Sequence, residues 1–138
     1  DVARRALTMY DFDTVLFPLN WALGICRGWG DRISVAAKEK NMGILGMKSL
    51  VRRQWRDGEA RPYPKSWCQP LWGDEALSVA AMKYAVLKGS DTLVPPGNFE
   101  HFSFMVAHAD ECFENPMTEA EWAMLRREAK QAENELIF

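Results

Sequence analysis

Three cationic side chains follow the opening of the apolar segment MGILGMKSLVRRQW, which spans residues 42–55. The small and aliphatic residues that open this segment are typical of a strand covered on both faces. In parallel α/β folds, ligands bind beyond the carboxyl ends of the strands. Lys48, Arg52 and Arg53 therefore occupy candidate positions for charge-assisted hydrogen bonds to a phosphate group. The alternative is that the arginines belong to a solvated loop surface.

Two other apolar runs, at residues 12–18 and 92–94, are stopped by proline and also have the composition of short buried strands. Applied to all three runs, the strand-end rule selects further candidates: Asn20, Trp21, Met47, Pro96, Gly97 and Asn98. Gly97 and Asn98 precede a predicted helix, whose free N–H groups favour an anion. The alternative role for Asn98 is that of a helix cap alone.

Histidine and cysteine residues are weaker candidates for chemistry. His101 and His108 share one face of a predicted helix, but no cysteine or carboxylate completes a metal-binding set at the usual spacing. The chain has three cysteines, far apart and without a CxxC motif: Cys26, Cys68 and Cys112. Neither a disulfide framework nor a zinc site is therefore predicted, and reduced thiols in a cytoplasmic protein are expected.

Composition and charge argue against several classes of partner. The chain has 138 residues, of which 48% are hydrophobic, so one domain with a sizeable core is expected. Residues 48–65 carry six cations against two carboxylates, but the formal net charge is -2, and this acidic remainder argues against nucleic-acid binding. No continuous apolar stretch reaches the length of a membrane span, and the first residues lack a signal-peptide core, so no membrane partner is predicted.

Helices are predicted between and after the three strands, at residues 1–10, 31–41, 74–89, 99–113 and 119–138. The expected N-terminal caps are Asp31, Asp74, Asn98 and Thr118, the last in a capping box with Glu121. Residues 51–73 show no period and are interpreted as one long loop. Short apolar strands separated by helices predict an α/β fold with a parallel sheet and right-handed crossovers.

The segments FDTVLFPLNW, MGILGMKSL and DTLVPPGNFEHF, with the helix AAMKYAVLKG before the third, resemble the last three strands of the aldo-keto reductase barrel. The closing MTEAEWAMLRREA resembles the acidic helix that follows the barrel in many bacterial members. The resemblance covers nearly the whole chain. It implies a partial (β/α)8 TIM barrel, with residues 1–116 as its C-terminal half and residues 117–138 as a helix packed on it.

The same resemblance implies a nicotinamide cofactor. Aldo-keto reductases bind NADP(H) across the top of the barrel and reduce carbonyl groups by hydride transfer. By position, Met47 would stack under the nicotinamide ring with Lys48 beside it, and Arg52 and Arg53 would lie on the cofactor side. Leu16 stands where a glutamine often holds the carboxamide.

Other matched positions concern the adenosine phosphate and the substrate. Gly97 and Asn98 match the turn near that phosphate, and His101 stands where an arginine commonly binds it. A neutral imidazole binds a phosphate less firmly than a guanidinium, so NAD(H) is possible in place of NADP(H). Asn20 and Trp21 are the positions expected to face a carbonyl substrate in the full-length enzyme.

No part of the chain matches the catalytic tetrad of Asp, Tyr, Lys and His, which belongs to the first half of the aldo-keto reductase barrel. A complete barrel needs about 250 residues, so the chain is expected to be a fragment that does not transfer hydride alone. The alternative is a non-catalytic half-barrel that binds a partner or oligomerises. In either case, exposed sheet edges predict self-association.

Overall fold

The computed structural model describes residues 2–138. Its helices are α1 (Val2–Met9), α2 (Trp21–Arg27), α3 (Asp31–Glu39), α4 (Glu75–Leu87), α5 (Phe99–Ala107), α6 (Ala109–Glu114) and α7 (Glu119–Gln131), and a 3-10 turn follows at Glu133–Glu135. Its strands are β1 (Thr14–Pro18), β2 (Gly43–Met47), β3 (Val51–Gln54), β4 (Cys68–Pro70) and β5 (Thr92–Val94). Residue 1 of the first predicted helix lies outside the described residues.

The three predicted strands form one parallel sheet with β2 in the centre, between β1 and β5. Pro18 aligns with Met47, and Met47 aligns with Val94, so the carboxyl ends of all three strands meet at one edge. The predicted α/β class and parallel pairing are confirmed. Within residues 2–138 the strands form an open sheet, and no closed barrel is present.

A glycine in the central strand lets the chain segment before β5 approach closely. The Gly46 N–H donates to Ser90 Oγ at 2.9 Å, and this hydroxyl donates to the Thr92 carbonyl at 2.8 Å. A Cβ atom at Gly46 would press on the Ser90 side chain. The small residue therefore sets the distance between β2 and the entry to β5.

The interpretation of residues 51–73 as an irregular loop is wrong, because β3 and β4 pair there as an antiparallel hairpin. Burial alternates along β3: Val51 and Arg53 are buried, and Arg52 and Gln54 are exposed. Because one of the two buried positions holds an arginine, the alternation of burial does not show as an alternation of hydrophobicity. The hairpin returns the chain to the carboxyl edge of the sheet.

Three details of the predicted helices also need correction. Helix α2 was not predicted; it starts at Trp21 because the Asn20 side chain accepts a hydrogen bond from the Leu23 N–H at 3.0 Å. Asp31 is the first helical residue of α3 rather than its cap, which is Gly30 at φ 89°. The single helix expected at residues 99–113 is divided at His108 into α5 and α6.

The starts of the last helix and of α4 follow the predicted signals, but the last helix ends at Gln131 rather than at residue 138. Asp74 caps α4 by accepting from the Leu77 N–H at 3.0 Å, and Thr118 and Glu121 form the capping box of α7. Helix α7 contacts α2 and α4, and the ammonium of the buried Lys83 on α4 binds the Glu121 carboxylate at 2.8 Å. None of the helices in residues 2–138 is long and apolar enough to cross a membrane.

Candidate functional site

A cavity of about 370 Å³ opens at the carboxyl edge of the parallel sheet. Strand ends form one side of it, and the β3–β4 hairpin with the segment before β4 forms the other. Its lining residues are Met47, Lys48, Leu50, Val51, Lys65, Ser66, Trp67, Cys68, Pro70, Val94, Pro95, Pro96 and Gly97. We call this space the strand-end cavity. Its volume lies in the range of natural small-molecule sites, which is about 300 to 1,000 Å³.

Lys48 enters the cavity from a backbone conformation that is unusual for a residue other than glycine. Its φ is 65°, in the left-handed region, where a Cβ atom is disfavoured. The Asn20 amide donates to the Lys48 carbonyl at 3.1 Å and to the Val51 carbonyl at 2.8 Å. These bonds hold the turn between β2 and β3, so Asn20 positions Lys48 while lying buried itself.

The ammonium of Lys48 lies between a thiol and an aromatic ring. Its Nζ donates to Cys68 Sγ at 3.1 Å and lies 5.9 Å from the centroid of the Phe138 ring. Lys65 is the other charged residue that lines the cavity, and the lining set contains no carboxylate. The cavity is therefore cationic, with mostly apolar walls formed by strand ends and prolines.

On one side of the cavity, Gly97 packs directly against the backbone of Lys65. A Cβ atom at Gly97 would lie 2.6 Å from the Lys65 carbonyl oxygen, so a larger residue would displace this segment. The Ser66 hydroxyl donates to Asn98 Oδ1 at 3.3 Å, which joins the hairpin segment to the start of α5. Asn98 is the N-cap residue of α5, but its side chain makes no capping hydrogen bond and accepts from Ser66 instead.

Arg52 and Arg53 do not line the strand-end cavity. Arg53 is buried and binds both carboxylate oxygens of Glu59 at 2.8 Å, with Glu135 3.5 Å away. The bond to Arg53 lowers the pKa of Glu59 to about 2, which indicates a firmly ionised pair. Arg52 is exposed and borders a separate polar hollow with Arg56 and Glu135.

Trp21 and His101 are buried away from the cavity lining. Trp21 belongs to a core cluster with α4 and α7. The His101 ring lies 4.7 Å from Tyr63 and 4.4 Å from Trp72, centroid to centroid, in edge-on contacts. Burial lowers the pKa of His101, so its imidazole is held neutral rather than offered to a phosphate.

The structure thus brings together four of the sequence-based candidates, Met47, Lys48, Pro96 and Gly97, with Asn20 and Asn98 supporting the walls. The lining residues that sequence reasoning did not select include Lys65, Trp67 and Cys68. Their position depends on the hairpin, and no local pattern between residues 51 and 73 indicates that pairing. The three tryptophans of that segment were the available signal that it packs down.

Comparisons of the chain with protein-family models, with curated proteins and with solved structures find no match. Function must therefore be inferred from the cavity and its chemistry. Two lysines can bind a phosphate or carboxylate, the apolar walls can cover a flat ring, and a thiol beside an ammonium can act as a nucleophile.

Proposed function

We propose that this chain is the cofactor-side part of an NAD(P)H-dependent oxidoreductase of the aldo-keto reductase type. The observation that carries the proposal is the meeting of Met47, Lys48 and Gly97 on one cationic cavity at the carboxyl edge of a parallel sheet. These residues come from two different strand ends, and each was selected by the strand-end rule. A partial TIM barrel, with residues 117–138 packed on it, is the architecture that this function implies.

The cavity residues fit part of a nicotinamide dinucleotide. Met47 offers a polarisable thioether against a flat ring, and the ammonium groups of Lys48 and Lys65 offer charge to the diphosphate. Since no carboxylate lines the cavity, an anionic ligand meets no like charge there. When bound, NADP(H) or NAD(H) would supply the hydride. The paired Arg53 and the buried His101 are not expected to contact it.

Catalysis by this chain alone is not expected. Within residues 2–138 the cavity lining contains no tyrosine that could protonate a carbonyl oxygen. The three tyrosines lie elsewhere: Tyr10 after α1, Tyr63 against His101 and Tyr84 in the core. We infer that residues beyond this chain would complete the site for a carbonyl substrate. NADPH-dependent carbonyl reduction by the purified chain would contradict this inference.

Titration of NADPH fluorescence against the purified chain tests the proposal. We expect saturable binding that Lys48→Ala weakens about tenfold or more, because the substitution removes a charge-assisted bond to phosphate. Lys130→Ala is the matched control: it removes an exposed lysine of α7 and is expected to leave affinity unchanged. Absence of saturable binding, or an equal effect of the two variants, would reject the cofactor assignment.

A non-catalytic module that oligomerises is the second candidate function. It is favoured by the outer strands β1 and β5, each paired on one side only within residues 2–138. The exposed fractions of Leu16 and Phe12, 52% and 43%, add apolar surface beside β1. Association without any NADPH binding would favour this candidate over the first.

A further inference from the structure

The Cys68 thiol and the Lys48 ammonium form a pair that the proposed hydride chemistry does not use. The two residues are 20 positions apart in sequence, and the β3–β4 hairpin brings them to 3.1 Å. The thiolate is the nucleophilic form of cysteine, and an adjacent cation stabilises its negative charge. The pair therefore has the composition of an activated nucleophile with its counter-ion.

This pair faces the strand-end cavity, which decides what can reach it. Cys68 is only 8% exposed, so a reagent must enter through the cavity. The nearby lining is apolar, from Leu50, Val94 and Pro95, and Lys48 is a hydrogen-bond donor beside the sulfur. The apolar walls accommodate the hydrocarbon part of a small molecule, and the Lys48 ammonium can donate to a carbonyl oxygen near an electrophilic carbon.

Hydrogen bonds from a buried side chain fix the position of Lys48. Its left-handed backbone is held by the buried Asn20 amide through two hydrogen bonds, to Lys48 and Val51. A strained backbone persists only where its surroundings determine it, and such residues cluster at ligand sites. The same turn presents the Lys48 ammonium to the Cys68 sulfur.

The other two cysteines provide internal comparisons. Cys26 is more exposed than Cys68, but burial and Glu133 raise its pKa, and its Sγ donates to the Ala129 carbonyl at 3.4 Å. Burial raises the pKa of Cys112 to about 12. Neither sulfur lines the strand-end cavity or accepts a bond from a lysine within residues 2–138.

We propose that Cys68 is a covalent modification site for small α,β-unsaturated carbonyl compounds, with Lys48 as counter-ion and proton donor. The Cys68 thiol gives up its proton to water, and the thiolate sulfur forms a bond to the β-carbon while the π electrons of the C=C bond move to give an enolate. The Lys48 ammonium donates a proton to the α-carbon and takes up a proton from water, so the proton lost by the thiol balances the proton gained by the adduct. The thiol thus adds across the double bond; nothing leaves, and no oxidant or reductant is needed.

This site goes beyond the proposed function, because the addition requires neither a nicotinamide cofactor nor hydride transfer. The two can be separated by experiment. Labelling of Cys68 is measured on the chain without NADPH, and protection of Cys68 by added NADPH then tests whether a cofactor shares the cavity. Failure of protection would count against the cofactor assignment and leave the thiol site standing.

The test is the rate of adduct formation with methyl vinyl ketone at each of the three cysteines, followed by peptide mass spectrometry of the folded chain. We expect Cys68 to react about tenfold faster than the more exposed Cys26, because the Lys48 ammonium binds the Cys68 sulfur directly. Lys48→Met is expected to remove that advantage. Lys130→Met, which removes an exposed lysine of α7 that does not line the cavity, is the matched control and is expected to preserve the advantage.

Equal or faster labelling of Cys26 in the unsubstituted chain would overturn the proposal, whatever the variants do. An unchanged Cys68 rate in a Lys48→Met variant whose circular dichroism is native would overturn the role of the ammonium. An iodoacetamide series on the same samples reports sulfur reactivity in a displacement that forms no enolate and needs no proton at carbon. The proton-donor role requires two results. Both reagents label Cys68 fastest, and Lys48→Met lowers the Cys68 rate more with methyl vinyl ketone than with iodoacetamide.

Discussion

The imidazole of His101 is completely buried between Tyr63 and Trp72, and neither of its ring nitrogens has a hydrogen-bond partner. Desolvation lowers its pKa in the folded state. Above the unfolded-state pKa of about 6.5, both states hold neutral histidine and stability is unaffected. As pH falls below that value, the unfolded chain binds a proton that the folded chain resists, so the free energy of unfolding decreases.

We therefore predict that stability falls on acidification from pH 6.5 toward the lowered pKa of His101, by at most about 1.4 kcal/mol for each pH unit. His101→Phe keeps an aromatic ring between Tyr63 and Trp72 and is expected to remove this loss of stability at low pH. His108→Gln is the matched control, since His108 is partly exposed beside Glu111, and it should retain that loss. Urea unfolding at several pH values checks the slopes; identical slopes for the His101→Phe variant and the unsubstituted chain would refute the assignment.

Single residues also mark the limit of reading this site from sequence. Lys48 could be placed at a strand end because the apolar run before it is local and continuous. Arg53 could not be placed, because its burial depends on Glu59 and Glu135, and the second of these lies at the far end of the chain. A charged residue is assigned to solvent by default, and only its partners overturn that assignment.

At the scale of elements, the packing of α2 against α4 depends on a glycine. A Cβ atom at Gly24 would collide with the hydroxyl of Tyr84, which is 1% exposed. We predict that Gly24→Ala destabilises the chain by about 1 to 3 kcal/mol, although alanine is the better helix former. Thermal or urea unfolding measures the change.

A second substitution makes that prediction specific. Tyr84→Phe removes the hydroxyl, so Gly24→Ala should cost less in the Tyr84→Phe background than in the unsubstituted chain. The difference is the coupling between the two positions. A stabilising Gly24→Ala, or a cost that does not change with Tyr84→Phe, would mean that the helices approach differently.

The elements that sequence reasoning recovered are those whose signals are local. The three apolar runs, the Asp74 cap and the capping box of α7 each lie within a few residues. The hairpin was missed because its two strands are 13 residues apart and contain two arginines and a proline. Its pairing is a tertiary event, and β propensity alone does not predict it.

At the scale of the whole molecule, the sheet has two edges at which no further strand pairs within residues 2–138. Strands β1 and β5 are each paired on one side, and the outward N–H and C=O groups of such strands can pair with another strand. Apolar runs separated by helices predicted the parallel pairing, because parallel strands need crossover connections. Closure into a barrel depends on more strands than the three that these runs predict.

The exposed edge of β1 leads to a prediction about assembly. We expect light scattering to detect self-association that increases with protein concentration, because an unpaired strand with apolar neighbours pairs with a second copy. Leu16→Lys places a charge in the middle of β1, where Leu16 is 52% exposed, and should reduce association. Val106→Lys removes a comparably exposed aliphatic residue, 60% exposed, on helix α5 rather than on β1 and should not. If the chain stays monomeric at high concentration, or both lysine variants dissociate it equally, the edge of β1 is not the contact surface.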